Sequence, residues 1–259
     1  MKKNNLYFIH GANCGSWVWE GFSEFFKIRG FNSLTPDLRL HGVNPHDKPA
    51  QGIAALSLRD YVSDICNELS ALDDKAVLIG HSMGGLLAQL AAQSVPVRAL
   101  VLIEPAPPAG LYPKKAAVIQ GIFALLRYGL FWKVPVRPSF AQAVVTSLHN
   151  LPPQRQHEVH SRFVYESGRA LSEIGFSVLD RKKAAYVDEK RITSPVLVIA
   201  GGMDRIISPK LALAISSKYK NCTYKEFPEH AHWIIQEQGW ENVAEYIFQW
   251  LDTRLHSFD

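Results

Sequence analysis

The sequence is poor in cysteine. It contains three cysteines in 259 residues, Cys14, Cys66 and Cys222, and they stand in unrelated contexts without a C-x-x-C pair. A disulfide framework or a thiolate metal site needs cysteines at regular, closer spacing. We therefore expect reduced thiols, a cytoplasmic location and no metal held by cysteine.

Long apolar runs are also lacking. The first apolar run, Leu6 to Ile9, is too short for the core of a signal peptide. The most apolar longer stretch, residues 116–132, is interrupted by Gln120, Gly121 and Arg127. These polar breaks favour a covering helix over a membrane span. We expect neither a secretory leader nor a membrane-spanning helix.

Neither sign of charge dominates. The formal net charge is +4, and the densest basic clusters, residues 2–3 and 181–183, are too short to form a nucleic-acid-binding stripe. Hydrophobic residues make up 47% and charged residues 20%, as in an ordinary soluble globular protein. A chain of this length can bury one large core and still carry an inserted subdomain.

Short β-branched or aromatic runs alternate with helical patterns along the chain. This rhythm is typical of an α/β protein with a mostly parallel sheet and helices on both faces. One helix is predicted from residue 58 onward, behind the capping pair Ser57 and Asp60, and another over 240–251. Ser208-Pro209 marks a further helix start. Six runs predict strands: Leu6 to Ile9, Asn32 to Thr35, Ala76 to Ile79, Arg98 to Ile103, Val196 to Ala200 and Thr223 to Phe227.

The alternation stops between about Pro105 and Thr193. Eight prolines punctuate helical stretches there, and no strong strand is indicated. We interpret residues 105–193 as a helical cap inserted into a core formed by residues 1–104 and 194–259. Ligands of open α/β sheets bind beyond the carboxyl ends of the strands, so an insertion at this point would cover that crevice.

One motif carries chemistry of its own. Residues 80–84, G-H-S-M-G, follow a predicted strand and precede a helical run, which is the context of a G-x-S-x-G nucleophile elbow. A serine on such a strained turn needs small neighbours two positions away, which Gly80 and Gly84 provide. The following helix directs its N-terminal amides toward a developing negative charge. The motif predicts Ser82 as a nucleophile.

This motif in its context resembles the α/β-hydrolase family, and the resemblance extends over nearly the whole chain outside the cap. Residues 10–13, H-G-A-N, follow the first strand and are similar to the family's HG oxyanion loop. In such enzymes the amides after the HG pair and after the nucleophile form the oxyanion hole. The resemblance therefore implies an α/β-hydrolase fold with Ala12 and Met83 as oxyanion donors, while His10 fastens the loop.

The resemblance also indicates an acid that orients the base. Residues 201–209 are similar to the family signature G-x-x-D-x-x-x-x-P, which places Asp204 after a late strand. An aspartate in a glycine-rich loop is otherwise an ordinary turn residue. The alternative acid is Glu104, which ends an earlier strand.

Two histidines compete for the role of general base. They are His230 and His232, in the segment F-P-E-H-A-H-W of residues 227–233. The family pattern has the base directly before an aromatic residue, which indicates His232. The order of Ser82, Asp204 and His232 along the chain is that of the family.

Serine at position 82 favours an acyl-enzyme pathway, because family members that open epoxides or displace halide use a carboxylate and dienelactone hydrolases use cysteine. Residues 10–19 are similar to the H-x-x-x-x-G-x-W-x-W opening of plant methyl esterases and hydroxynitrile lyases. The lyases carry threonine where this chain has Gly11. We expect hydrolysis, by water and without a cofactor, of a small to medium, fairly apolar carboxylic ester or lactone.

Several points stay open at this level. Phe123, Phe131 and Trp132 of the cap, with Trp233 beside the base, are candidate substrate contacts, although such aromatics commonly form a cap's own core. The same triad could serve cleavage of C–C or C–N bonds or perhydrolysis. A ligand receptor on a hydrolase scaffold is the alternative from another class. The H-E-V-H segment of residues 157–160 lacks the H-E-x-x-H spacing, so we expect no metal.

Overall fold

The computed structural model describes residues 4–112 and 130–255. In chain order the described strands are β1 (Asn5–Ile9), β2 (Asn32–Leu34), β3 (Val77–His81), β4 (Ala99–Ile103), β5 (Pro135–Val136), β6 (Glu166–Ser167), β7 (Val196–Gly201) and β8 (Cys222–Phe227). Six of them form a central sheet with parallel neighbours, in the order β2-β1-β3-β4-β7-β8. These are the six predicted strands, and each boundary lies within two residues of its predicted position.

Helices flank this sheet, and the two predicted from capping residues begin where the sequence indicates. Ser57 and Asp60 form a capping box, and Ser208 caps a helix whose first residue is Pro209. Short 3-10 helices lie at Ser16–Trp19, Ile53–Ala55, Phe131–Lys133 and Glu189–Arg191. The described α-helices are α1 (Glu20–Ile28), α2 (Leu58–Ser70), α3 (Met83–Ala92), α4 (Phe140–Val145), α5 (Pro153–Ser161), α6 (Gly168–Gly175), α7 (Pro209–Ser216) and α8 (Trp240–Leu255).

Alternate residues of the central strands face two separate cores. In β3, Leu78 packs with the core that α2, α3 and α7 cover, whereas Val77 and Ile79 pack with the core that α1 and α8 cover. Each core is apolar, so the strands read as continuous hydrophobic runs. This three-layer arrangement leaves the carboxyl ends of the strands free to carry functional loops.

The described parts of the insertion, residues 105–112 and 130–193, add no strand to the six-stranded sheet. They contain α4, α5 and α6 together with the antiparallel pair β5 and β6. This pair differs from the expected all-helical insertion, because strands of two residues are too short to show an alternating pattern. The helix predicted over 116–132 falls mostly outside the described residues. The division at residues 105 and 193 stays a prediction.

No helix within residues 4–112 and 130–255 combines the length and the apolar character that crossing a bilayer requires.

Candidate active site

Ser82 stands on a tight turn between β3 and α3. Its backbone has φ 54° and ψ −121°, which is strained for a residue other than glycine. A Cβ at position 80 would lie 2.3 Å from the carbonyl oxygen of Gly84, and one at position 84 would lie 2.1 Å from that of Ile9. The turn is therefore possible only because both positions are glycine.

Three side chains from distant parts of the sequence meet above this turn. Ser82 Oγ lies 3.0 Å from His232 Nε2, and His232 Nδ1 lies 2.7 Å from Asp204 Oδ2. The other oxygen of Asp204 accepts hydrogen bonds from the backbone N–H groups of Ile206 and Ile207, at 2.5 and 2.9 Å. The three side chains lie on the loops after β3, β7 and β8, so the parallel sheet brings them together at one edge.

Asp204 is an ionised carboxylate in a buried position. Burial alone would raise the pKa of Asp204. The neighbouring His232 and the hydrogen bonds that the Asp204 carboxylate accepts lower this pKa below its ordinary value. Glu104, which follows β4, is fully buried and accepts a hydrogen bond from the backbone N–H of Gly201. Burial and the neighbouring Asp204 raise the pKa of Glu104 well above its ordinary value. The pKa values of the two candidate acids are therefore shifted in opposite directions.

His230 has a different partner from His232. Its Nδ1 lies 3.2 Å from Glu237 Oε2, and the same oxygen accepts a hydrogen bond of 2.9 Å from the backbone N–H of Ala231. Glu237 therefore secures the loop that carries both histidines. Of the two, the structure brings His232 to Ser82.

His81 ties the same loop to the elbow, a role that the sequence motif did not indicate. Its Nε2 donates a hydrogen bond of 2.8 Å to the backbone carbonyl of His232. Burial lowers the pKa of His81 to about 3, so the ring stays neutral. A neutral ring can hold the loop of His232 without repelling that histidine when it is protonated.

The loop after β1 lies directly against Ser82. A Cβ at Gly11 would lie 3.1 Å from the Cβ of Ser82, so a larger residue would crowd the nucleophile. Ala12 follows in this turn, and Met83 is the first residue of α3, where a backbone N–H has no acceptor within the helix. The two predicted oxyanion donors, Ala12 and Met83, thus directly follow Gly11 and Ser82, and these two residues lie against each other.

His10 fastens this loop. Its Nε2 accepts a hydrogen bond of 3.0 Å from the backbone N–H of Leu38, so its proton is on Nδ1, which donates to the carbonyl of Gly11 at 2.9 Å. Burial lowers the pKa of His10 to about 4 and keeps the ring neutral. The neutral tautomer is the one that can make both hydrogen bonds.

Asn13 joins the same loop to the insertion, a contact that no motif in the sequence indicates. It has φ 63°, in the left-handed region that asparagine tolerates. Its Nδ2 donates to the carbonyls of Val136 and Val164, at 2.7 and 3.0 Å, and its own carbonyl accepts from the N–H of Val164 at 2.9 Å. Residue spacings of 123 and 151 separate these partners, so no local pattern could reveal them.

A buried ion pair forms a second link between the insertion and the core. His41 Nε2 lies 3.0 Å from Glu166 Oε2 with both side chains fully buried, and Tyr61 donates a hydrogen bond of 2.8 Å to the other oxygen of Glu166. Burial would lower the pKa of His41, but Glu166 raises it overall. Burial would likewise raise the pKa of Glu166, but His41 lowers it. Each of the two groups therefore favours the charged form of the other.

The predicted substrate contacts lie in different surroundings. Trp233 is buried beside His81 and Phe163, with ring centroids 6.0 and 5.5 Å away. Phe131 and the 40% exposed Trp132 line a cavity of about 810 Å³ between the insertion and residues 54–55, and the described lining residues do not include Ser82 or His232. Phe123 lies outside the described residues. All four contacts stay predictions.

The histidines of the H-E-V-H segment have local partners. His157 stacks on Phe140, with ring centroids 4.0 Å apart, and His160 Nε2 donates to the carbonyl of Pro138 at 3.0 Å. Across the described ranges, no group of three or more His, Cys, Asp or Glu side chains is arranged to hold a metal ion.

Comparison with known proteins extends these observations. Residues 6–246 match the sequence pattern of the "Alpha/beta hydrolase family". Methylesterase 7 from Arabidopsis thaliana is 30% identical over 179 residues, which are 61% of this chain and 66% of that protein. Polyneuridine aldehyde esterase from Rauvolfia serpentina is 26% identical over 104 residues, which are 39% of this chain and 38% of that protein. The matched stretches thus span only part of these relatives.

A solved structure is similar over a longer range. A hydrolase from Oleispira antarctica superimposes with a TM-score of 0.75 over 97% of this chain and 92% of its own, at 16% sequence identity. A likeness at this identity shows a shared fold and leaves the reaction to be argued from the site.

Proposed function

Because the chain belongs to the alpha/beta hydrolase family, we propose that it hydrolyses carboxylic esters, with Ser82 as nucleophile, His232 as general base and Asp204 as the residue that orients the base. The observation that carries this proposal is the unbroken line of hydrogen bonds from Asp204 through His232 to Ser82, at 2.7 and 3.0 Å. These distances are within the reach that a nucleophile and its base require. Curated relatives named as esterases support the same reaction class.

The proposed reaction passes through an acyl-enzyme. His232 Nε2 takes the proton of Ser82 Oγ as the oxygen attacks the carbonyl carbon, and the backbone N–H groups of Ala12 and Met83 stabilise the resulting oxyanion. Each such donor contributes about 3 kcal/mol to the transition state. The protonated base returns its proton to the departing alkoxide. Water, deprotonated by His232, then releases the acid and regenerates Ser82.

We propose a small to medium, fairly apolar ester or lactone as the substrate, and residues 105–193 as a cap over the site. Contacts of the insertion with the loops of the triad support this placement. His149 Nε2 lies 3.1 Å from the carbonyl of Met203, and Asn150 donates to the carbonyl of Glu229 at 3.0 Å. These loops carry the acid and the base. An insertion anchored there restricts which acyl and alcohol groups reach Ser82.

Labelling of the nucleophile tests the central proposal. We expect a fluorophosphonate probe to modify Ser82, as mapped by mass spectrometry, and a chain-length series of p-nitrophenyl esters to be hydrolysed. Ser82→Ala should lower kcat by about 10⁴-fold or more. Ser217→Ala, which changes an exposed serine, is the matched control. A label on another residue, or full activity in Ser82→Ala, would contradict the proposal.

Paired substitutions test the base and the acid. His232→Ala should lower kcat by about 10⁴-fold or more, whereas His230→Ala should cost less than about tenfold because it contacts Glu237 instead of Ser82. Asp204→Asn should lower kcat by about 10⁴-fold, since an amide favours the wrong tautomer of the base. Equal losses in the two histidine variants would argue against His232 as the base.

A further inference from the structure

We propose that Glu104 is a positioning residue of this site, a buried carboxylic acid that stays neutral and donates its proton to the carboxylate of Asp204. The proposal rests on the proposed function, because it assigns a role within the same triad. It also gives Glu104 a role different from that of an alternative acid.

The fold holds Glu104 in one place. Glu104 directly follows β4, is fully buried and has φ 45°. Its backbone N–H donates a hydrogen bond of 2.9 Å to the carbonyl of Ile199. Its carboxyl group accepts a hydrogen bond from the backbone N–H of Gly201. A Cβ at Gly201 would lie 2.7 Å from Glu104 Oε1, so glycine there is what allows the carboxyl group to approach. Asp204 lies three residues further along the same loop.

The contact between the two carboxyl groups requires a proton. Glu104 Oε2 is buried and has no hydrogen-bond donor among the described residues, and the carboxyl group of Asp204 lies within hydrogen-bonding reach of Glu104. An ionised carboxylate only accepts hydrogen bonds, so two carboxyl groups can be joined only when one of them carries a proton. Two adjacent buried negative charges would also repel each other strongly.

The proton belongs on Glu104. Asp204 receives hydrogen bonds from His232 and from the backbone N–H groups of Ile206 and Ile207, and every one of these donors favours its ionised form. Glu104 receives one backbone hydrogen bond, from Gly201. The donors therefore favour the anion at Asp204 and the neutral acid at Glu104, in agreement with the raised pKa of Glu104.

The surrounding groups act in the same direction. The carboxyl group of Glu237 and the hydroxyl of Tyr224 lie close enough to Glu104 to interact with it, and neither supplies a positive charge. His232 and the neutral ring of His81 both interact with the carboxylate of Asp204. Asp204 thus carries the negative charge next to His232, and the hydrogen bond that Glu104 donates also fixes the orientation of the Asp204 carboxylate.

The pH dependence of kcat/KM separates a neutral Glu104 from an ionised one. Glu104→Gln keeps a carbonyl oxygen for Gly201 and supplies an N–H for Asp204. We expect kcat within about threefold of the unmodified protein and an acid limb that moves by less than about 0.3 pH unit. If Glu104 were ionised, this substitution would remove a negative charge near the base and move the acid limb to lower pH. A downward shift of about half a unit or more overturns the proposal.

Glu104→Leu tests the role of the donor. It has no group for Asp204 or Gly201, so we expect kcat to fall by about 10- to 100-fold with little change in KM. The acid limb should move to higher pH, because a carboxylate that loses a donor attracts the protonated base more strongly. Circular dichroism and thermal unfolding check that the variant is folded. A folded variant with unchanged kcat and an unchanged limb contradicts a positioning role.

An infrared measurement tests the proposal without any activity. The unmodified protein should show the C=O stretch of a protonated carboxyl group at pH 8, sensitive to D₂O and absent in Glu104→Gln. Glu158→Gln, which changes a glutamate whose side chain is 42% exposed, should leave the band in place. Absence of the band overturns the neutral Glu104 even if Ser82 is labelled and active. If Ser82 is not labelled but the band is present, the proposed function fails while the protonation of Glu104 stands.

Discussion

Ser82, Asp204 and His232 show how individual residues are brought to one point by the fold. Asp204 and His232 are 28 positions apart, and His232 lies 150 positions from Ser82. Their side chains meet because each follows a strand of the same parallel sheet. Glycine makes the contact possible at the nucleophile, since only a residue without a Cβ fits at positions 80 and 84.

Gly84→Ala is expected to destabilise the protein. The added Cβ would lie 2.1 Å from the carbonyl oxygen of Ile9, so either β1 or α3 must move. Overpacking of this kind costs about 1 to 3 kcal/mol or more in the free energy of unfolding. The matched control is Gly175→Ala, where no atom lies within 4 Å and the change should be within about 1 kcal/mol. Urea unfolding measures both, and equal costs would contradict this explanation.

At the scale of elements, the loop after β1 is connected to both the core and the insertion. His10 fixes one end of this loop through Leu38, and Asn13 fixes the other through Val136 and Val164. Ala12 lies between the two anchors. The position of its backbone N–H therefore depends on elements that are distant in sequence.

Asn13→Gly is expected to lower kcat by about tenfold with little change in KM, because it removes both side-chain hydrogen bonds to the insertion and loosens the proposed oxyanion turn. Glycine tolerates the positive φ of this position, so the backbone is not strained. Steady-state kinetics on one ester measure the effect. Asn44→Gly, in an exposed loop, is the control. The explanation fails if both variants lose kcat to the same extent.

At the scale of the whole molecule, buried histidines link stability to pH. Burial lowers the pKa of His10 to about 4 and that of His81 to about 3, against about 6.5 in an unfolded chain. The unfolded chain therefore binds more protons below pH ~6.5. The stability that these two residues contribute is fully present above that pH and is lost as the pH falls. His41, whose pKa Glu166 raises, acts in the opposite direction, and its contribution is lost as the pH rises through the folded-state pKa.

Stability should therefore fall as the pH drops from about 6.5 toward 4.5, with each of the two neutral histidines contributing a slope of about 1.4 kcal/mol per pH unit. His81→Gln removes one titrating group and keeps a donor for the carbonyl of His232. We expect it to reduce the slope by about 1.4 kcal/mol per pH unit. Urea unfolding at a series of pH values checks this. Parallel curves for the two proteins would show that His81 does not titrate on unfolding.

Local patterns in the sequence were sufficient to predict the strands of the six-stranded sheet and several of the helices that cover it. Buried strands are continuous apolar runs, and in covering helices the apolar residues recur every three to four positions. All six strands of the main sheet could therefore be predicted, and capping residues marked the helix starts at Ser57 and Ser208. The nucleophile elbow is equally local, because its glycines flank Ser82 directly. Strands β5 and β6 could not be predicted, since two residues carry no periodic pattern.

The sequence by itself determined the α/β architecture, the elbow at Ser82 and a short set of candidate acids and bases. Only the tertiary structure decided that His232 rather than His230 lies beside Ser82, that Asp204 rather than Glu104 contacts the base, and that Asn13 reaches the insertion. Propensity and spacing act over a few residues. These contacts join groups up to 150 positions apart, and their geometry exists only once the strands lie side by side.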